Sequence, residues 1–433
     1  MVRTQSTSPE AMLHGLLPAE AINQAAHRLG FIKRLRRIKA AQFIVLVVLS
    51  VCGREGQSLS ALRRRFIERT GLRVVRSSFI DRFTPSLMKV VHWMLTELQE
   101  RAAAARPTLG GPLKGFADVV AVDATVIQVP RALAKLWKGT STAAAIKVHT
   151  MIRALSGELL RHQITAETRH ESRVFGIGHW AKKVLFLLDR GYASGSLYWR
   201  IHRVGGYFLT PLKKSFVARI VGVNAGHSGS ASRALGKSVW DLCKQVGRRA
   251  KRIDVVCRFQ VRVRPYGTAK GRRFFQEFRV VGLYNHKERR YHFYVTNIEP
   301  ERLKAADCAS LYRLRWEVET WYKSAKSGLA LDEIYSAKPH IVRTLVKAAL
   351  IRTTVAMQAR RHALPHLPLG RWINPGQWLA TWQRTVEQLL TGLMLGRRRY
   401  PPIAWRELAF DTMDPNRSRV PTRRLWALSA ALD

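Results

Sequence analysis

The stretch FADVVAVDATVIQVP, residues 116–130, limits the fold more than any other. It is β-branched and nearly uncharged, so it suits a strand buried on both faces, inside a sheet covered by further layers. Asp123 interrupts it. A carboxylate in a buried strand is costly unless something neutralises it.

The rest of the chain is arranged around that strand. Residues 1–105 read as mostly helical, with Ser58 or Ser60 capping a helix that stops near Thr70-Gly71 and another starting at Ser77 or Ser78. Helix, glycine turn and helix among arginines is compatible with a DNA-binding helix-turn-helix. RPTLGGPLKG, 106–115, reads as a linker. After the first strand come two strands joined around Ser156-Gly157, a helix over 171–182, a strand ending in Asp189, a helix, and the strand GYFLTPLKKS. From about 216 to 297, RIDVVCRFQVRVRP, RRFFQEFRVVGLYN and RRYHFYVTNI read as antiparallel strands separated by turns. A helix over 311–328 and a helical tail from Ile341 close the chain. The expected class is α/β with a mixed sheet.

Charge narrows the partners. The chain of 433 residues has a formal net charge of +45, spread through segments such as RLGFIKRLRRIK, ALRRRF, KGRRFF and GRRRY. A folded chain so charged repels itself unless a polyanion is its partner, and nucleic acid is the foremost candidate. The four cysteines form no CxxC pair, which argues against a zinc module and fits a reducing cytoplasm. The N-terminal residues lack the apolar core of a signal peptide, and the run 40–53 is too short to span a membrane. The expectation is a cytoplasmic, nucleoid-associated protein without membrane attachment.

Chemistry points to three acidic residues. Asp123 lies within a strand, and Asp189 ends the run VLFLLD before the turn RGYASG. The helix over 311–328 sets Tyr312, Arg315, Glu319, Tyr322 and Lys326 within about 80° of one another, beside an apolar stripe of Leu314, Val318, Trp321, Ala325 and Leu329. Taken alone, that polar face reads as a solvated surface with an Arg315–Glu319 ion pair. Together, Asp123, Asp189 and Glu319 would supply hard oxygen ligands for two Mg²⁺ ions, with Mn²⁺ as an alternative, in phosphodiester cleavage. Arg315 and Lys326 would meet phosphates, and Tyr312 and Tyr322 would stack on or hydrogen-bond the strand being cut. Asp118, beside the linker, is expected to face water. His149, His162 and His170 read as structural or phosphate-bonding residues rather than catalytic ones, and Trp240 as a core tryptophan.

These residues carry a resemblance. Tyr312, Arg315, Glu319 and Lys326 match in spacing the Tyr-Arg-Glu-Lys signature of the DDE transposases of the insertion-sequence four family. VDAT at Asp123 and DRGY at Asp189 resemble that family's two aspartate motifs, although Ala124 stands where glycine is common in related sequences. Glu317 lies two residues from Glu319, but about 200° away on a regular helix. The resemblance covers roughly residues 112–335. It implies a ribonuclease-H-like core interrupted by a β-rich insertion, with Asp123, Asp189 and Glu319 as catalytic metal ligands. Tyr312, Arg315 and Lys326 would position DNA. It also implies cleavage at terminal inverted repeats, joining of 3′ ends to target DNA, and a homodimer on paired ends. Some members of that family pass through a hairpin, with an aromatic of the insertion holding a flipped base.

The expected organisation is a helical DNA-end-binding region over 1–105, a catalytic core over 112–215 and 296–345, a β-rich insertion over 216–295, and a helical region for dimerisation over 346–433. Two other readings stand beside it. One is a non-catalytic DNA-binding protein, a decayed transposase, against which the intact acidic triplet speaks. The other is a ribonuclease-H-like endonuclease without strand transfer, which would use the same carboxylates.

Overall fold

The structure is a computed structural model that describes residues 8–32, 38–50, 58–216, 218–224, 234–246, 252–263, 271–316, 319, 321–322, 334–368, 371–395 and 403–415. In chain order, helices precede and follow the strands of a nine-stranded mixed sheet, and the two helical groups pack against each other. The N-terminal helices are α1 (Pro9–Leu16), α2 (Ala19–Arg28), α3 (Ala40–Ser50), α4 (Leu59–Thr70), α5 (Arg76–Ile80) and α6 (Pro85–Ala104). Capping chemistry sets their ends: Ser58 accepts from Ala61 N at 3.0 Å before α4, and Gly71 closes that helix with φ 69°, a left-handed conformation that suits glycine. The apolar residues of α3 are buried along its whole length, because α2, α4, α6 and two C-terminal helices pack around it.

The strands are β1 (Asp118–Gln128), β2 (Ala145–Arg153), β3 (Leu159–Ala166), β4 (Val184–Leu188), β5 (Tyr207–Pro211), β6 (Arg219–Val223), β7 (Arg252–Val263), β8 (Arg272–Asn285) and β9 (Arg290–Thr296). Their order is β3-β2-β1-β4-β5-β9-β8-β7-β6, with β1–β4 and β4–β5 parallel and the other pairs antiparallel. The hairpin β2–β3 turns at Gly157, whose φ of 76° favours glycine. Helices α7 (Gly195–Arg203) and α8 (Val239–Val246) come between strands, and α9 (Asp307–Arg313) follows the sheet. Last come α10 (Pro339–Ala363), α11 (Pro375–Leu395) and α12 (Trp405–Asp411).

Alternation along the strands divides the core in two. Val119, Ala121, Leu185 and Leu187 face a large core shared with α3, α6, α10 and α11. Val120, Val122, Phe186 and Leu188 face a second core containing residues of α7 and α8. The central strands are thus buried on both faces, as their composition requires.

Three expectations are corrected. The segment 171–182 is not a helix but two separate 3₁₀ turns, Glu171–Arg173 and His179–Ala181. Gly176 and Gly178 lie between them, and Arg200 holds the first turn by donating to Ser172 O at 2.6 Å. Asp118 does not face water. It is buried, its Oδ2 2.9 Å from Arg153 Nε, and Arg153 also meets Glu158 and Ala102 O. Burial raises the Asp118 pKa, and Arg153 works against that rise. The helix expected over 311–328 is broken: α9 ends at Arg313, Leu314 and Arg315 form a turn, and helical residues resume at Trp316.

Candidate active site

Asp123 and Asp189 come to one level because their strands are parallel neighbours. Val122 of β1 pairs with Leu188 of β4, so each carboxylate lies one residue further on. Asp123 Oδ1 accepts from Ala124 N at 2.8 Å, and Asp189 Oδ2 accepts from Gly191 N at 3.0 Å, capping the 3₁₀ turn Arg190–Tyr192. Alternation turns Asp123 toward the face that carries α9.

Arg315 gathers the acidic side chains. Its Nη1 is 3.3 Å from Asp123 Oδ2 and 3.7 Å from Asp189 Oδ1, and its Nη2 donates to Glu319 Oε1. The break in the helix after α9 brings this about: Leu314 N bonds to Leu311 O and Arg315 N to Tyr312 O, i→i+3 contacts that tighten the chain just where the guanidinium must reach β1. Arg315 is buried, whereas the carboxylate side chains of Asp123, Asp189 and Glu319 retain 18%, 37% and 28% of their exposure. The cation thus lies beneath three acids that still reach solvent.

The electrostatics follow from that arrangement. Three carboxylates and one guanidinium leave an excess of negative charge. Burial, together with Asp189 and Glu319, pushes the Asp123 carboxyl up to about 6, against the opposing pull of Ala124 N–H and Arg315. Burial disfavours the charge of Arg315, but Tyr312 and the acids outweigh it and raise its pKa. Hard oxygen donors in excess over their counter-charge suit a divalent cation by kind. Among the described residues, however, no three His, Cys, Asp or Glu side chains are grouped tightly enough to hold an ion directly, because these three share Arg315 instead.

The tyrosines differ from one another. Tyr312 is half-buried, donates to Leu188 O at 3.2 Å, packs 5.4 Å from Tyr294, and lines a cavity of about 690 Å³ with Arg190, Trp240, Tyr284, Tyr291 and Arg289. Burial raises its pKa. Tyr322 is wholly interior, its hydroxyl 2.7 Å from Thr150 Oγ1 and donating to Val148 O at 3.0 Å and Asp123 O at 3.3 Å. It supports β1 and does not offer a face to a nucleic-acid strand, which corrects the expectation for it. Trp240 packs edge-on against Phe293 at 5.1 Å while lining the cavity. Lys326 and Glu317 lie outside the described residues.

One support was missed in the sequence. Tyr192 donates to Asp123 O at 3.1 Å and pairs with His149 Nδ1 at 2.8 Å, while His149 Nε2 meets Thr165 Oγ1 at 3.0 Å. The signal was present in DRGY, whose tyrosine follows the second aspartate by three residues.

A family model described as the transposase DDE domain matches residues 114–352, more than half of the chain. The chain belongs to this transposase family. Relatives agree: it is 20% identical over 358 residues to the transposase for insertion sequence element IS231B of Bacillus thuringiensis subsp. berliner, covering 76% of this chain and 75% of that protein. It is 21% identical over 378 residues to the transposase for IS231E of Bacillus thuringiensis subsp. finitimus, covering 79% and 78%. A looser likeness, at 9% identity and a TM-score of 0.45 over 95% of this chain and 86% of the other, is to piggyBac transposase in a synaptic complex with hairpin DNA. In this transposase the family match contains Asp123, Asp189, Arg315 and Glu319, and it begins just after the helical N-terminal region. Among the described residues, no helix is long and apolar enough to cross a membrane.

Proposed function

We propose that this transposase binds the terminal inverted repeats of an insertion sequence, cleaves phosphodiester bonds there, and joins the freed 3′ ends to target DNA. Asp123, Asp189 and Glu319 are its catalytic carboxylates. The observation that carries this reading is the convergence of all three on one guanidinium, from two parallel strands and the chain beyond α9. They would hold divalent cations, two Mg²⁺ or Mn²⁺ ions, only once Arg315 gives up its present contacts with them. Ions bound there would supply activation of the attacking oxygen and stabilisation of the leaving oxygen.

The chain's own residues do the rest. Arg315, already an anion bridge, exchanges a carboxylate for the scissile phosphate through its planar fork. Tyr312 orients the neighbouring sugar-phosphate, and Lys326 adds a second phosphate contact. Arg258, Arg262 and Arg273, exposed on β7 and β8, extend the positive surface away from the acids. The strand order β3-β2-β1-β4-β5 supports a ribonuclease-H-like core over 112–215 and 296–345, with 216–295 as an insertion that continues the sheet. Residues 1–105 would bind the ends, and 346–433 would join two copies as a homodimer on paired ends.

Glu319→Ala tests the reading. Cleavage of DNA bearing the element ends is expected to fall by a factor of about 10³ or more, while DNA affinity changes less than about twofold. Equal loss of both would make Glu319 a structural residue.

A further inference from the structure

Behind Asp189, on the sheet face away from Arg315, lies an acid that the cleavage chemistry above does not use. Glu171 opens the 3₁₀ turn Glu171–Arg173, and Lys147 of β2 approaches its Oε1 at 3.1 Å, both side chains being mostly buried. The other oxygen rests on Gly191: a Cβ built at that glycine would stand 1.8 Å from Glu171 Oε2 and 2.8 Å from its Cδ. No larger residue fits at 191 while Glu171 keeps its place. Gly191 is also the residue whose N–H holds Asp189 Oδ2. The turn Asp189–Tyr192 is therefore clamped at two points, by the Glu171 carboxylate at Gly191 and by the Tyr192 hydroxyl on Asp123 O.

We propose that Glu171, steadied by Lys147, is a positioning residue that seats Gly191 and thereby sets the direction of the Asp189 carboxylate. This rests on the reading of Asp189 as a catalytic carboxylate. On this proposal Glu171 would work without touching DNA or the reacting atoms. It acts through the glycine, and Lys147 acts by holding the carboxylate where it fills the space that a Cβ at 191 would take. The clamp explains why glycine stands at 191, although its backbone conformation is not left-handed there. Outer partners of this kind usually contribute 10- to 100-fold to metal affinity or activity, roughly, when they orient a ligand.

The test uses the full chain and five variants: Glu171→Gln, Lys147→Met, Gly191→Ala, the double exchange Lys147→Glu with Glu171→Lys and, as control, Asp189→Asn. Binding of Mn²⁺ alone is read by calorimetry, and cleavage of end DNA is resolved into kcat and KM. DNA affinity and the thermal midpoint are measured alongside. For Lys147→Met and Gly191→Ala the expectation is a fall of about tenfold or more in Mn²⁺ affinity and in kcat, with KM and DNA affinity unchanged. Glu171→Gln should show a smaller loss of the same pattern, and the double exchange Lys147→Glu with Glu171→Lys should recover part of it. A lowered thermal midpoint with kcat and Mn²⁺ affinity intact would overturn the proposal and leave a purely structural ion pair. If Asp189→Asn itself still binds Mn²⁺ and cleaves, the catalytic reading of Asp189 fails. If the control is dead while the other variants are normal, only the positioning role fails.

Discussion

His149 shows how much a single side chain can carry. Its ring is wholly buried between Tyr192 and Thr165, and burial, helped by Lys147, lowers its pKa to about 3. In the unfolded chain the imidazole takes a proton near the usual value of about 6.5. Between those values the unfolded state binds more protons, so this group's contribution to stability is lost as pH falls through that window. The expected cost between pH 7 and pH 5 is about 2 kcal/mol. Asp123 acts in the opposite sense, because its raised carboxyl makes the folded state the better proton binder between about 4 and 6. Denaturant unfolding of wild type and His149→Gln at both pH values separates the two: the variant should lose about 2 kcal/mol less on acidification. Equal losses would mean that His149 is not held neutral in the fold. The sequence suggested a structural histidine here but could not show the partners, since Tyr192 is 43 residues away and Thr165 lies on another strand. Asp118 was misread for the same reason, because the arginine that neutralises it is 35 residues away.

At the level of elements, the legible parts were those whose signals are local. The doubly buried β1, the hairpin turning at Gly157, the Ser58 cap and the Gly71 stop all stand where residue types and spacing put them. The failures needed long-range information. The turn at Leu314 and Arg315 interrupts an otherwise regular amphipathic pattern at the residue that meets acids on β1 and β4, a long-range contact that the helical period cannot reveal. The first 3₁₀ turn within 171–182, Glu171–Arg173, is held by Arg200 and lies against Gly191, again from other elements. The long β8–β9 pairing offers its own check. Gly282 lies opposite Phe293, and a Cβ there would stand 2.4 Å from the phenyl ring. Gly282→Ala is expected to destabilise the fold by about 1–3 kcal/mol through overpacking. A thermal or denaturant midpoint at the wild-type value would show that Phe293 moves aside freely.

For the whole molecule, the charge of +45 and the family membership point the same way. Binding through phosphate contacts releases counterions, so DNA affinity should fall by about 10³-fold or more between 50 and 200 mM salt if six or more phosphates are engaged. A flat salt profile would contradict the phosphate account. The central claim is that Asp123, Asp189 and Glu319 together cut DNA at the ends of an element. Its most direct test is to incubate the protein and Mg²⁺ with a DNA fragment carrying this gene and its native flanks, then map every break to the nucleotide, with Glu319→Ala in parallel. The account predicts breaks at a repeated sequence on both flanks, absent in the variant. Tight binding with no wild-type break, in Mg²⁺ or in Mn²⁺, would contradict it and leave a protein that recognises DNA without cutting it.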